Sequence, residues 1–178
     1  MVVTAFAHSG PISLHYPRDP GEDLPDRDGT ALEIGRGEVL RTGDDLLMVG
    51  FGPIVQRLLE VASLLEADGL AATVINARWA KPLDETLIAE HAAGKRLVVT
   101  AEESAAMGGF GDGVLDVLNR AGIHVPLHKV ALAEGFVHHG AVDDLREQQR
   151  IDVPGILAQV REALGVPRAG PRSKVSAA

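Results

Sequence analysis

The feature that most constrains this chain is a hydrophobic period that changes back and forth along it. Leu46 to Phe51 is an apolar run stopped by Gly52 and Pro53, after which Ile54, Leu58, Val61 and Leu65 recur at helical intervals as far as Ala67. A strand, a tight turn and a helix are predicted. The unit returns with a strand over Ala72 to Ile75, a helix over Pro82 to Ala92 with Pro82 in its first turn, and a strand over Arg96 to Thr100. Gly113 to Arg120 is a further helix, Pro126 to Leu132 the last strand, and Val142 to Gln149 and Pro154 to Leu164 are closing helices. Strands alternating with helices predict an α/β fold, an open and mostly parallel sheet with helices on both faces. No internal sequence repeat accompanies the structural one.

Two segments fall outside this pattern. From Pro11 to Tyr16, Ile12, Leu14 and Tyr16 alternate with Ser13 and His15 until Pro17 ends the pairing, which predicts one short opening strand within residues 1–18. Residues 19–31 hold two prolines, two glycines and five acids, and are expected to be a linker. The main domain is expected over 32–164. The remainder, 165–178, carries Arg168, Arg172 and Lys174 with no acid and is expected to be a disordered tail.

With 178 residues and 46% hydrophobic content, one domain of this size buries roughly 70% of the surface of its unfolded chain. Cysteine is absent, which removes disulfides, thiolate catalysis and Cys-based zinc sites. A net charge of −8 argues against a phosphate-tracking surface, so protein partners are expected rather than nucleic acid. No apolar run reaches the roughly 18 residues of a membrane span, and Met1 to Gly10 lacks the basic start of a signal peptide. The expectation is a soluble, cytoplasmic protein without a membrane partner.

Chemistry-bearing motifs are few. Gly108-Gly109-Phe110-Gly111-Asp112-Gly113 stands between a strand and a helix, where backbone amides can approach a phosphate. The dinucleotide spacing fails at Val114, and Glu102, Glu103 and Asp112 repel a pyrophosphate, so a tight turn with close helix packing is expected. Glu102 and Glu103 are neighbours on a strand and point to opposite faces, which excludes a shared reacting centre. One is expected to cap the glycine turn and the other to face a partner subunit. His124 and His128 have the spacing of a helical zinc pair, but Pro126 between them disfavours the helix. His138-His139-Gly140 is expected to be a loop with hydrogen-bonded histidines, and Ser104, without a Gly-x-Ser-x-Gly setting, a turn residue.

Several stretches together carry a resemblance: Gly10-Pro11 leading to Tyr16-Pro17-Arg18, Ile34-Gly35-Arg36-Gly37, Lys81-Pro82-Leu83-Asp84, Glu102-Glu103, Met107-Gly108-Gly109, and Phe136-Val137-His138-His139-Gly140. From Met1 to about Leu164 the chain resembles the C-terminal end of the 1-deoxy-D-xylulose-5-phosphate synthases, a branch of the transketolase family. The Lys-Pro-Leu-Asp and Glu-Glu elements alone would fit any transketolase C-terminal domain, including 2-oxoacid dehydrogenase β subunits.

The resemblance implies a thiamine-diphosphate- and magnesium-dependent transferase that joins pyruvate to glyceraldehyde 3-phosphate with loss of carbon dioxide, giving a precursor of isoprenoids, thiamine and pyridoxal. It implies three α/β domains, of which this chain resembles the last strand of the second and all of the third. Diphosphate, magnesium and pyrimidine ligands would then lie outside it. Gly111-Asp112-Gly113 imitates the family's magnesium motif, but the asparagines, Asn76 and Asn119, leave none about thirty residues downstream. No catalytic, cofactor-binding or metal-binding residue is expected here, and the chain alone is expected to be inactive. One position carries over, Arg18, the arginine that in the family looks toward the substrate phosphate. A permanently charged, forked donor suits that task. The family's Arg-Tyr-Pro-Arg-Gly reads His15-Tyr16-Pro17-Arg18-Asp19 here. Expected partners are the missing N-terminal domains or a homodimer mate. A truncated gene product starting at an internal methionine, a free-standing dimerisation or regulatory module, and a 2-oxoacid dehydrogenase β subunit stay open.

Overall fold

A computed structural model describes residues 1–17 and 29–166. Arg18, most of the expected linker and most of the expected tail lie outside the described residues. Helix α1, Val2–Ala7, is followed by strands β1, Glu38–Arg41, and β2, Leu46–Gly50. Then come α2, Ile54–Leu65, β3, Ala72–Asn76, α3, Glu85–Ala92, β4, Leu97–Ala105, α4, Phe110–Arg120, β5, Leu127–Leu132, α5, Val142–Gln148, and α6, Val153–Leu164.

The five strands form one sheet in the order β1-β3-β2-β4-β5, parallel throughout except for β1. Central β2 is buried at all five positions, as a strand covered on both faces must be. Its side chains divide by the strand period of two. Leu46 and Met48 join Leu58, Val61, Ile156 and Val160 in a core beneath α2 and α6, whereas Leu47 and Val49 join Ile88, Val114 and Leu118 beneath α3 and α4. The expected α/β architecture with helices on both faces is the one observed.

Several local expectations need correction, among them α4, which starts at Phe110 rather than Gly113, and β4, which runs on to Ala105 rather than ending at Thr100. Pro11 to Tyr16 belongs to no ladder: Ile12 and Leu14 are half-buried and Ser13 and His15 exposed, so the alternation is real, but a strand exists only through a paired neighbour. Helix α3 starts at Glu85 rather than Pro82, because the Asp84 carboxylate caps it by accepting from Leu87 N at 3.1 Å. Ser104 lies within β4 rather than in a turn. Two elements had no expectation attached. Strand β1 is short, half-buried and bulged between Val39 and Arg41, and a polar clasp ties α1 to Leu32. There Leu32 N donates to Thr4 Oγ1 at 2.7 Å while that hydroxyl lies 3.2 Å from Leu32 O.

Candidate functional site

Chain order sends β3 to one side of β2 and β4 to the other, so the carboxyl ends of β2 and β4 flank the point where ligands of open α/β sheets collect. A crevice of about 700 Å3 opens there. Its lining includes Phe51, Lys81, Leu83, Glu85, Glu102 and Asp116. Phe51, just past β2, packs on Phe110 at the start of α4 with ring centroids 5.0 Å apart.

The floor is made by Glu102. Strand geometry turns it inward, 1% exposed, while Glu103 beside it is exposed. The Glu102 carboxylate accepts from Phe110 N at 2.7 Å and Gly111 N at 2.8 Å, and Ser104 Oγ also donates to it. These amides open α4, so a carboxylate of the chain itself occupies the anion position at that helix start. Gly109 shows how tightly: a Cβ there would lie 2.3 Å from Ala105 O and 2.4 Å from Glu102 Oε2. Glycine is required because it brings nothing to that contact.

A second carboxylate completes the turn. Asp112 accepts from Gly108 N at 2.6 Å and from Lys129 Nζ at 2.5 Å, and the same ammonium donates to Ala106 O at 2.8 Å. The Lys129 hydrogen bond, followed by the Gly108 amide, holds the Asp112 carboxyl below the ordinary aspartate range. Farther along the crevice Arg120 forms a fork on Glu85 at 2.8 and 2.9 Å and also reaches Asp116 at 2.9 Å. Glu85 is therefore held below the usual glutamate range, and Arg120 is pushed upward by the same bonds. Each carboxylate in this network has a cation or a set of amides to answer.

Of the other residues singled out by sequence, Glu103 reaches Arg57 at 2.9 Å and Arg146 at 3.2 Å across the sheet end. His128 sits on β5 with Nε2 3.2 Å from Gln159 Oε1, whereas His124 precedes the strand in an exposed position. His138 and His139 stand in a loop exposed from Ala133 onward. Sequence reasoning missed Asp84, which accepts from Gly37 N at 3.1 Å while capping α3 and so ties β1's approach to the helix. The signal was available, an aspartate three residues before Leu87. It also missed Lys129, whose pairing with Asp112 joins residues 17 apart on different elements.

A protein-family model for the transketolase C-terminal domain matches residues 35–156. The chain belongs to that family. It is 39% identical over 163 residues to a 1-deoxy-D-xylulose-5-phosphate synthase from Heliobacterium modesticaldum, covering 91% of this chain and 25% of the relative. The corresponding enzyme from Parasynechococcus marenigrum is 45% identical over 149 residues, 83% of this chain and 23% of the relative. The chain thus spans about a quarter of the curated relatives it matches. Among solved structures, a split gene transketolase described as an inactive β4 tetramer superposes with a TM-score of 0.72 at 34% identity, over 82% of this chain and 48% of that one. A transketolase mutant from Pichia stipitis, 15% identical with a TM-score of 0.55 over 81% of this chain and 20% of that one, shares the fold.

Proposed function

We propose that this chain is the C-terminal portion of a thiamine-diphosphate-dependent transferase of the 1-deoxy-D-xylulose-5-phosphate synthase kind, and that it contributes scaffold and assembly rather than catalytic groups. The observation that carries this reading is identity of 39 to 45% across more than four fifths of the chain, set against a quarter of each relative. The reaction in this reading joins the two-carbon unit of pyruvate to glyceraldehyde 3-phosphate and releases carbon dioxide. When bound in such an enzyme, thiamine diphosphate would supply the electron sink that the loss of carbon dioxide from pyruvate needs.

The residues of this chain do not fit that cofactor. The amides of the glycine-rich turn that would suit a diphosphate already receive the Glu102 carboxylate, and Asp112 of the apparent Gly-Asp-Gly motif is tied to Lys129 and Gly108. Freeing either would break the start of α4.

Arg18 is the one residue proposed for a substrate site, holding the phosphate of glyceraldehyde 3-phosphate with its fork. A protein described as a split gene transketolase, similar over 82% of this chain, supports the idea that such a portion is a separate polypeptide completed by another. The test is complementation: the chain is mixed with the upstream three quarters of a synthase relative and pyruvate-dependent formation of 1-deoxy-D-xylulose 5-phosphate is followed. Activity only in the mixture supports the reading. Turnover by this chain alone contradicts it. In the active mixture Arg18→Ala is expected to raise KM for glyceraldehyde 3-phosphate at least about tenfold, as loss of a charged hydrogen bond of roughly 1.5 to 3 kcal/mol implies, and to leave KM for pyruvate in place.

A further inference from the structure

Residues 133–149, between β5 and α6, stand off the body of the domain. Every residue from Ala133 to Asp144 is exposed. Helix α5, which closes the segment, contains no buried residue and packs extensively on no other element. Hydrophobic burial therefore contributes little to holding this segment in place. Its two ends are nevertheless joined, because Ala133 N donates to Gln149 Oε1 at 2.9 Å, so the segment is a strap with a closed base.

The fastening of the strap to the sheet is ionic. Arg146 of α5 donates to Glu103 Oε1 at 3.2 Å, and Arg57 of α2 donates to the same oxygen at 2.9 Å. The side chains of Arg57 and Arg146 are 14% and 15% exposed, and the carboxylate between them is 37% exposed. A bond so placed is shielded enough to hold and open enough to be screened by salt. Glu103 belongs to β4, inside the sheet, whereas Arg146 belongs to a helix that buries nothing, so the bond ties a loosely packed element to a rigid one. Glu103 also lines a cavity of about 290 Å3 at the β2 and β4 ends, together with Gly52, Pro53 and Ser104. Release of the strap withdraws one of the two guanidinium groups that answer this carboxylate at the edge of that cavity.

We propose that residues 133–149 form a hinged strap latched to the carboxyl end of the sheet by Arg146 and Glu103, with Arg57 holding the carboxylate in place, and that breaking the latch releases the strap as a unit while the sheet stays folded. The latch responds to ionic strength, because a charge pair reached by solvent loses most of its attraction when the screening length falls to about 3 Å at 1 M salt.

The test is hydrogen exchange of the full chain, read by mass spectrometry at low salt and at about 1 M salt, with Glu103→Ala, Arg146→Ala and Asp143→Asn. At low salt the amides of α5 are expected to exchange at least about tenfold faster in Glu103→Ala than in the wild type, with those of β2 and β4 unchanged within about twofold. Arg146→Ala leaves Glu103 its Arg57 partner, and is expected to do the same. Asp143→Asn removes the partner of Arg146 within α5 but spares the latch, so wild-type exchange is expected. Added salt is expected to speed α5 exchange in the wild type and not in Glu103→Ala. Exchange of α5 that neither latch variant accelerates overturns the proposal, as does acceleration that reaches β2 and β4 equally. So does a wild-type strap indifferent to salt, or an Asp143→Asn variant that opens as readily as the latch variants.

Discussion

Glu102 is a buried carboxylate on which the start of α4 depends. Its carboxylate is buried and accepts from two amides and a hydroxyl, so Glu102→Gln presents an NH2 or a weaker neutral acceptor to donors that have no alternative. The expected cost is about 2 to 3 kcal/mol, read as a fall in Tm of roughly 5 to 10 °C. Glu103→Gln, one position along, keeps an oxygen for Arg57 and Arg146 at a partly exposed site and is expected to cost under about 1 kcal/mol. Equal losses for the two would deny Glu102 its capping role. Gly109→Ala tests the same contact from the other side: its Cβ would meet carbonyl and carboxylate oxygens far inside contact distance, so destabilisation of about 3 kcal/mol or failure to fold is expected. Acid behaviour follows from Asp112 and Glu85. Both carboxyls are held below their ordinary values, so the stability they contribute is complete above about pH 5.5 and is lost as pH falls through the ordinary and then the depressed values. Tm is expected to be unaffected by these pairs between about pH 6 and about pH 8, and Asp112→Asn to flatten part of the acid decline.

At the scale of elements, α3 depends on Asp84. One oxygen caps the helix and the other holds Gly37, so Asp84→Ala removes an N-cap and a tether together. About 2 kcal/mol is expected from thermal unfolding, with Asp84→Asn recovering part of it because asparagine caps as well as aspartate. The elements legible in sequence were those whose pattern is local and strong. β2 announces itself through four successive apolar residues, Leu46 to Val49, and α2 through Ile54, Leu58, Val61 and Leu65, all buried as their spacing implies. β1 was not legible, because four half-buried residues become a strand only by pairing with β3 some 35 positions away. Pro11 to Tyr16 failed in the opposite sense: the alternation was read, but pairing cannot be read from one strand. The N-terminal arm of residues 1–17 still shelters something. Trp79, the single tryptophan, is 5% exposed and lines a cavity of about 540 Å3 together with Ile12, Leu14 and Phe51. Deleting residues 1–17 is expected to shift its fluorescence to the red; unchanged emission would mean that the arm does not cover it.

For the whole molecule, the sheet order explains why a chain with so few catalytic motifs still has a crevice where such folds place ligands. The crevice at the β2 and β4 ends exists by topology, while its amides and carboxylates are spent on α4, Lys129 and Arg120. Sequence alone supplied the glycine turn and the pair of glutamates, and the strand period decided which glutamate turns inward. It could not supply Lys129 or Arg120 as partners, since those pairings depend on β5 lying beside β4 and α3 beside α4. Under the proposed function this chain contributes structure and leaves cofactor binding to other domains. Calorimetric titration of the full chain with thiamine diphosphate and magnesium tests it most directly. No saturable heat is expected, because Glu102 already fills the amide cradle and Asp112 is committed to Lys129. Saturable binding in the micromolar range, abolished by Asp112→Asn, would contradict the account.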